Sequence, residues 1–293
     1  MCFKNNKTFF RTYNLFFMFL QLGFLIATLG TLFTTDVVIY YDMEITHDQT
    51  IPVKPIYISL AMHVMAVLFH MMFAIYSESI IQNYFMFNNS NSLRWIYQLF
   101  TDGAGVVGLM EIHGFGHIET FVVTLVVFAS TLILCYYQDQ YLNTNYEFLP
   151  EIEPHVFAIP IYVLMICFII VKSAQSISDT FSSRIVLITI ISLFQTCVMF
   201  LIQRFHIYKT LRDRRSIENM KEAEEDEEKQ DKDENEQDEL SNENFTENYL
   251  DMDIAILRRG IIFEIIQYTN STLFQMTISW LIISITKSRT VLP

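Results

Sequence analysis

Long runs of apolar residues alternate with short polar segments along most of this chain. A helix needs about 20 predominantly apolar residues to cross the hydrocarbon of a bilayer. Seven stretches approach or exceed that measure: 13–33, 55–81, 93–112, 117–137, 155–171, 184–208 and 254–285. The pattern predicts an all-α polytopic membrane protein of seven transmembrane helices. Residues 1–208 hold the first six with short loops, and 254–293 hold the seventh with a short tail. The fifth stretch is the shortest and contains Pro160, a kink that neighbouring helices can accommodate by re-satisfying the freed carbonyl. The seventh exceeds one crossing, so its first turns are expected to project from the membrane. Lys4, Lys7 and Arg11 precede the first stretch as in a signal peptide. Its apolar run is too long for one, however, and no small-residue cleavage site follows, so a retained helix is expected.

Charge changes this picture in one place. The chain is 52% hydrophobic yet carries a net charge of −13. Segment 209–253 alone holds 18 of the 32 acidic and 7 of the 19 basic side chains. A stretch such as 222–247 cannot bury enough apolar surface to offset its ordering entropy, and is expected to be a disordered loop. Like-charge repulsion argues against nucleic acid or an anionic lipid surface as its partner. It is either a solvated insertion or a docking segment for a basic protein. With the N-terminus inside, 14 Lys and Arg fall on the cytoplasmic side and 5 outside. The positive-inside rule then places the N-terminus in the cytoplasm and the C-terminus outside. Cys2, Cys135, Cys167 and Cys197 show neither metal-ligand spacing nor a disulfide framework.

Ionisable groups inside spans are costly and are functional candidates by default. His63 and His70 lie seven apart on one face of the second helix. Asp102 sits in the third, beside Gly103, Gly105 and Gly108, small residues that permit close helix packing. Glu111, His113, His117 and Glu119 cluster at the third-to-fourth turn, but their spacing fits no standard zinc motif, and no metal is expected. On the seventh helix, Glu264, Gln267, Ser271 and Gln275 fall within roughly 80° of one another, and Ser279 widens the row to roughly 120°. Asn270 flanks it. Such a stripe must face the bundle interior. It makes either a hydrogen-bond network that fixes packing or an internal polar cavity built from His63, His70, Asp102, Glu264, Gln267, Ser271 and Gln275. No GxSxG, HExxH or P-loop pattern is present, so neither an enzyme nor catalytic residues are expected.

Several segments resemble one family. Ala66-Val67-Leu68-Phe69-His70 is similar to an "ALFH" end of helix two, and Asn91-Ser92-Leu93-Arg94-Trp95-Ile96-Tyr97 to an "NxxRWxEY" start of helix three. Residues 200–208 and the run from Leu257-Arg258-Arg259-Gly260 are loosely similar to the end of helix six and to helix seven. Together they resemble the heliorhodopsins, microbial-rhodopsin relatives with inverted membrane orientation. The orientation drawn from charge agrees, whereas a G-protein-coupled receptor would have the opposite one and a "DRY"-like end to helix three. The resemblance implies a rhodopsin-like bundle, a dimer, and a retinal pocket with a lysine in helix seven and a glutamate counterion in helix three. Both are replaced here. Thr269-Asn270-Ser271 stands for the "AKS" context, with Asn270 at the lysine, and Tyr97 stands at the counterion. No lysine occurs between Arg259 and Lys287, and Lys287 lies 17 residues beyond Asn270, about 25 Å along a helix. A Schiff base needs a primary amine, so no covalent cofactor is expected. Three functions stay open: a chromophore-free receptor or scaffold, a proton or ion channel using Asp102, Glu264 and His70, and a photoreceptor holding retinal non-covalently.

Overall fold

The computed structural model describes residues 2–34, 41–46, 49–82, 93–113, 117–141, 154–175, 189–195 and 239–288, with helical positions at 197–198, 201–202, 205, 208–209, 212, 216 and 219. Among the described residues the chain is helical except for one hairpin. The helices are α1 (Cys2–Thr34), α2 (Pro55–Ile75), α3 (Ser77–Ile80), α4 (Leu93–Ile112), α5 (Ile118–Tyr141), α6 (Pro154–Gln175) and α7 (Glu239–Ser288). Among the described residues, three segments are long and apolar enough to cross a membrane: Asn6–Thr34, Pro55–Ile75 and Ile118–Gln138. Val156–Val171 is a shorter apolar helix.

The all-α expectation holds for the described residues apart from one short hairpin between α1 and α2. There β1 (Tyr41–Thr46) pairs antiparallel with β2 (Gln49–Val53), in a register that sets Met43 opposite Ile51 and Glu44 opposite Thr50. The β-branched residues Ile45, Thr46, Thr50, Ile51 and Val53 favour strand over helix. Pro52 is tolerated because a two-stranded ribbon consists only of edges. Pro55 occupies the first turn of α2, where its missing N–H costs nothing.

Two helices differ in extent from the apolar runs. The second run is one helix only to Ile75; Tyr76 leaves helical geometry (φ −91°, ψ 18°) before α3 resumes. The seventh begins at Glu239, inside the acidic stretch expected to lack structure, and continues for 50 residues. That is about 75 Å of helix. Between Glu239 and Ser288 the sequence has no Pro, and its one Gly is Gly260. Acidic residues at a helix start are stabilised by the helix dipole. The rest of the expected loop, 220–238, lies outside the described residues.

α1 packs on α2 and α7, α2 on α4 and α7, α4 on α5 and α7, and α5 on α6. α4 and α7 thus sit inside and contact helices on several sides. The side-chain distribution reverses that of a water-soluble domain. Phe16, Phe19, Phe33, Val123 and Leu164 point outward, while Asn14, Gln21, Ser59, His63 and His70 are buried. Only a hydrocarbon surround makes that arrangement favourable.

Of the three glycines of α4, Gly105 has the least room for a side chain. A Cβ built there would lie 2.6 Å from Cε1 of the buried Phe274 ring, whereas at Gly103 and Gly108 the nearest atom is at 3.5 Å. Gly105→Ala is therefore expected to lower stability by about 1–3 kcal/mol through overpacking. Gly23→Ala, with open space around its position, should be neutral or slightly stabilising. The shift of the unfolding midpoint on titrating sodium dodecyl sulfate into mixed micelles checks the pair. Equal shifts for the two variants would remove the close approach as a cause.

Candidate functional site: a polar interior shared by four helices

Asn14, Gln21 and Thr28 lie seven apart along α1 and therefore share one face. α2 runs antiparallel beside it and answers each position. Asn14 Oδ1 lies 3.0 Å from His70 Nδ1, Gln21 Oε1 lies 2.5 Å from His63 Nδ1, and Thr28 approaches Ser59 at 3.4 Å. The seven-residue repeat keeps facing positions in register along two antiparallel helices, as in a coiled-coil seam. Here the seam is polar and closed off from lipid, because α7 covers it.

α7 brings Ser271, Gln275 and Ser279 to this seam, four residues apart. Donor and acceptor roles then run in one direction. The Ser59 hydroxyl donates to Ser279 Oγ (2.7 Å), and Ser279 donates to His63 Nε2 (2.6 Å). His63 Nδ1–H donates to Gln21 Oε1, and Gln21 Nε2 donates to Gln275 Oε1 (2.6 Å). Gln275 Nε2 donates onward to Asp102 Oδ1 (2.9 Å), Tyr97 Oη (3.2 Å) and Ser271 Oγ (2.8 Å), and Ser271 donates to Asp102 Oδ1 at 2.5 Å. This assignment makes His63 the neutral Nδ1–H tautomer, the only form that both accepts from Ser279 and donates to Gln21. The chain joins α2, α7, α1 and α4 and ends on a carboxyl group.

A second polar unit lies one to two turns away on α4 and α7. Arg94 forms an ion pair with Glu264, and both side chains are only 1% exposed. The guanidinium stacks over Trp95 (4.4 Å to the ring centroid) and Phe263 (4.9 Å), which satisfies its faces as the carboxylate satisfies its edge. Arg94 lies at the start of the third apolar run, a place that suits a boundary charge, yet the structure buries it. Between the two units an aromatic layer fills the interior. His70 packs against Tyr97 (5.1 Å), Tyr268 (5.4 Å) and Phe17 (5.4 Å), and Tyr97 meets Tyr268 edge-on at 5.6 Å.

The residues singled out from sequence are thus distributed over both units. His63, Asp102, Ser271 and Gln275 belong to the hydrogen-bond chain, and Glu264 to the ion pair. His70 lies in the aromatic layer, and Gln267 is buried on the same face of α7. Asp102, Glu264 and His70 do not line one pocket, since Tyr97 and Tyr268 stand among them. Asn270 and Tyr97 are not brought together either. Asn270 Nδ2 donates to the Gln195 carbonyl (3.1 Å) while Gln195 Nε2 donates to the Asn270 carbonyl (3.2 Å). Five residues along a helix turn a side chain by about 140°, so it is Gln275 that faces Tyr97. Sequence reasoning passed over Asn14, Gln21 and Ser59. Their signal was helical spacing of lone polar residues in otherwise apolar runs: Asn14 and Gln21 lie seven apart, and Ser59 lies four before His63.

At the other end of α4, Glu111 is buried, and neither carboxyl oxygen has a hydrogen-bond partner among the described residues. His113, just past the helix, shares a 2.7 Å hydrogen bond with Thr189, and burial pushes its imidazole down to about 4. Among the described residues, no three His, Cys, Asp or Glu side chains converge as metal ligands would.

Apolar helices with a buried polar seam define the class: a helical membrane protein. No family model and no curated protein matches the chain.

Proposed function

We propose that the chain is a heliorhodopsin-like seven-helix membrane protein that carries no covalently bound retinal and works as a receptor or scaffold rather than an enzyme. The reading rests on the sequence resemblance, and one observation carries the chemistry. The α7 side chain that meets Tyr97 and Asp102 is Gln275, a carboxamide already committed to three acceptors and to Gln21. In this reading Asn270 stands at the position of the missing amine, and Gln275 fills the space beside Tyr97 and Asp102. A carboxamide forms no Schiff base, and the hydroxyl of Tyr97 suits a position with no Schiff-base cation beside it. The described lysine side chains support the same view. Lys7 lies in a partly exposed ion pair with Glu78, Lys54 is the residue before α2 and makes no side-chain capping bond, and Lys209 is partly exposed. In the proposed topology, α4, α6, the helical positions from 189 to 209 and α7 complete seven crossings, with the N-terminus cytoplasmic and the C-terminus outside. A homodimer and a basic protein docking on the acidic segment belong to the same proposal.

Incubation of the purified protein with all-trans retinal tests it. No visible band should survive borohydride reduction, and mass spectrometry should find no retinyl adduct. A trapped adduct on any lysine would overturn the reading, and a light-bleached band that is never trapped would favour a photoreceptor holding retinal non-covalently.

The directional hydrogen-bond chain from Ser59 to Asp102 favours a second reading, a proton pathway. Proton flux into liposomes that is abolished by Asp102→Asn would establish it; equal flux in empty and protein-bearing vesicles would exclude it.

A further inference from the structure

A groove of about 470 Å³ opens on the outer surface between α2, α4 and α5. Its walls are apolar: Tyr57 and Ala61 from α2, Phe100 and Ala104 from α4, and Leu125 from α5. One charged group belongs to it. Lys54, the residue before α2, stands at the end of the groove with its ammonium 5.3 Å from the Tyr57 ring centroid. Lys54, Tyr57 and Ala61 recur at helical spacing, so the cation and the apolar wall form a single stripe about 10 Å long.

Two of the three walls belong to Pro55–Ile75 and Ile118–Gln138, helices apolar enough to cross a membrane. The mouth of the groove therefore faces hydrocarbon. Tyr57 and Phe100 on its rim are about half exposed, at 47% and 50%. Water gains little in such a space, because an apolar cavity offers it too few hydrogen-bond partners. An empty groove forfeits dispersion contacts along its whole lining. Its volume falls within the range of ligand-sized sites. The best occupant is amphipathic, with an anionic head at one end and a flexible apolar tail. We infer that this groove binds one phospholipid, its phosphate on Lys54 and an acyl chain laid between Ala61 and Ala104. The lysine stem lies along the apolar wall and presents its ammonium at the polar boundary, the usual geometry of a snorkelling lysine.

The full-length protein, reconstituted in nanodiscs of equimolar phosphatidylglycerol and phosphatidylcholine and released into native mass spectrometry, tests the site. Wild type should retain one phospholipid, enriched in phosphatidylglycerol over the nanodisc composition. Ala104→Phe fills the groove from α4 and should abolish the retained lipid. Ala61→Phe fills it from the opposite wall, at a position already exposed, and should do the same. Lys54→Glu should lower retention several-fold and remove the preference for phosphatidylglycerol. A wild type that sheds all lipid would overturn the inference, as would retention unchanged in whichever filling variants fold. So would a lipid-free wild-type dimer that either Phe variant converts to monomer, since the groove would then hold a second copy of the chain.

Discussion

Arg94→Met is expected to destabilise the bundle by about 3–5 kcal/mol, because it leaves the Glu264 carboxylate buried without its cation. Both members of this pair are nearly inaccessible, so no water compensates the loss. The guanidinium also fills the space over Trp95 and Phe263, contacts that a methionine side chain keeps in part. The double variant Arg94→Met/Glu264→Gln should regain most of the loss, since an ion pair replaced as a unit is often close to neutral. The surface pair Lys7–Glu78 supplies the internal comparison. Its side chains are 33% and 55% exposed, and Lys7→Met should cost less than about 1 kcal/mol. Denaturation by sodium dodecyl sulfate in mixed micelles reads all four proteins on one scale. Equal shifts for Arg94→Met and Lys7→Met would show that the interior pair is hydrated.

Gln275→Leu is expected to cost about 2–3 kcal/mol. A single interhelical hydrogen bond in a membrane protein averages only about 0.6 kcal/mol, and Ser271→Ala, which removes one donor to Asp102, should fall near that value. Gln275 differs because one side chain serves four partners on three helices. Leucine has a similar volume, yet it orphans the Gln21 amide and leaves Asp102 with Ser271 alone on Oδ1. Each buried polar group left unsatisfied costs about 1–3 kcal/mol. The same variant separates the two functional readings. A scaffold loses stability and has no flux to lose, whereas a proton pathway through Gln275 loses its flux at temperatures where the protein is still folded. A destabilisation no greater than that of Ser271→Ala would mean the chain of hydrogen bonds is not cooperative.

Much of this interior was legible one helix at a time. The stripe of Glu264, Gln267, Ser271, Gln275 and Ser279 follows from helical periodicity alone, and so does the shared face of His63 and His70. The partners were less visible. Arg94 has the composition of a boundary residue, and only the position of Glu264 across the bundle makes it an interior one. Gln21 stands alone in an apolar run, and its role depends on His63 and Gln275 arriving from two other helices. The hairpin at 41–53 was hidden for a different reason: its apolar positions are too few to register beside runs of 20 or more.

Read alone, the sequence establishes that the chain is mainly helical and holds helices long and apolar enough to cross a membrane, three of them among the described residues, and that the seventh apolar run has no lysine between Arg259 and Lys287. Those properties are local, set by hydropathy and composition within a single segment. Tertiary structure alone decided that Asn270 turns to Gln195 while Gln275 meets Tyr97 and Asp102, and that Arg94 is buried against Glu264. Such pairings join residues up to 254 positions apart. They depend on how four helices rotate about their own axes when packed, and hydrocarbon, having no hydrogen bonds to offer, enforces them by leaving every interior polar group to find its partner within the protein.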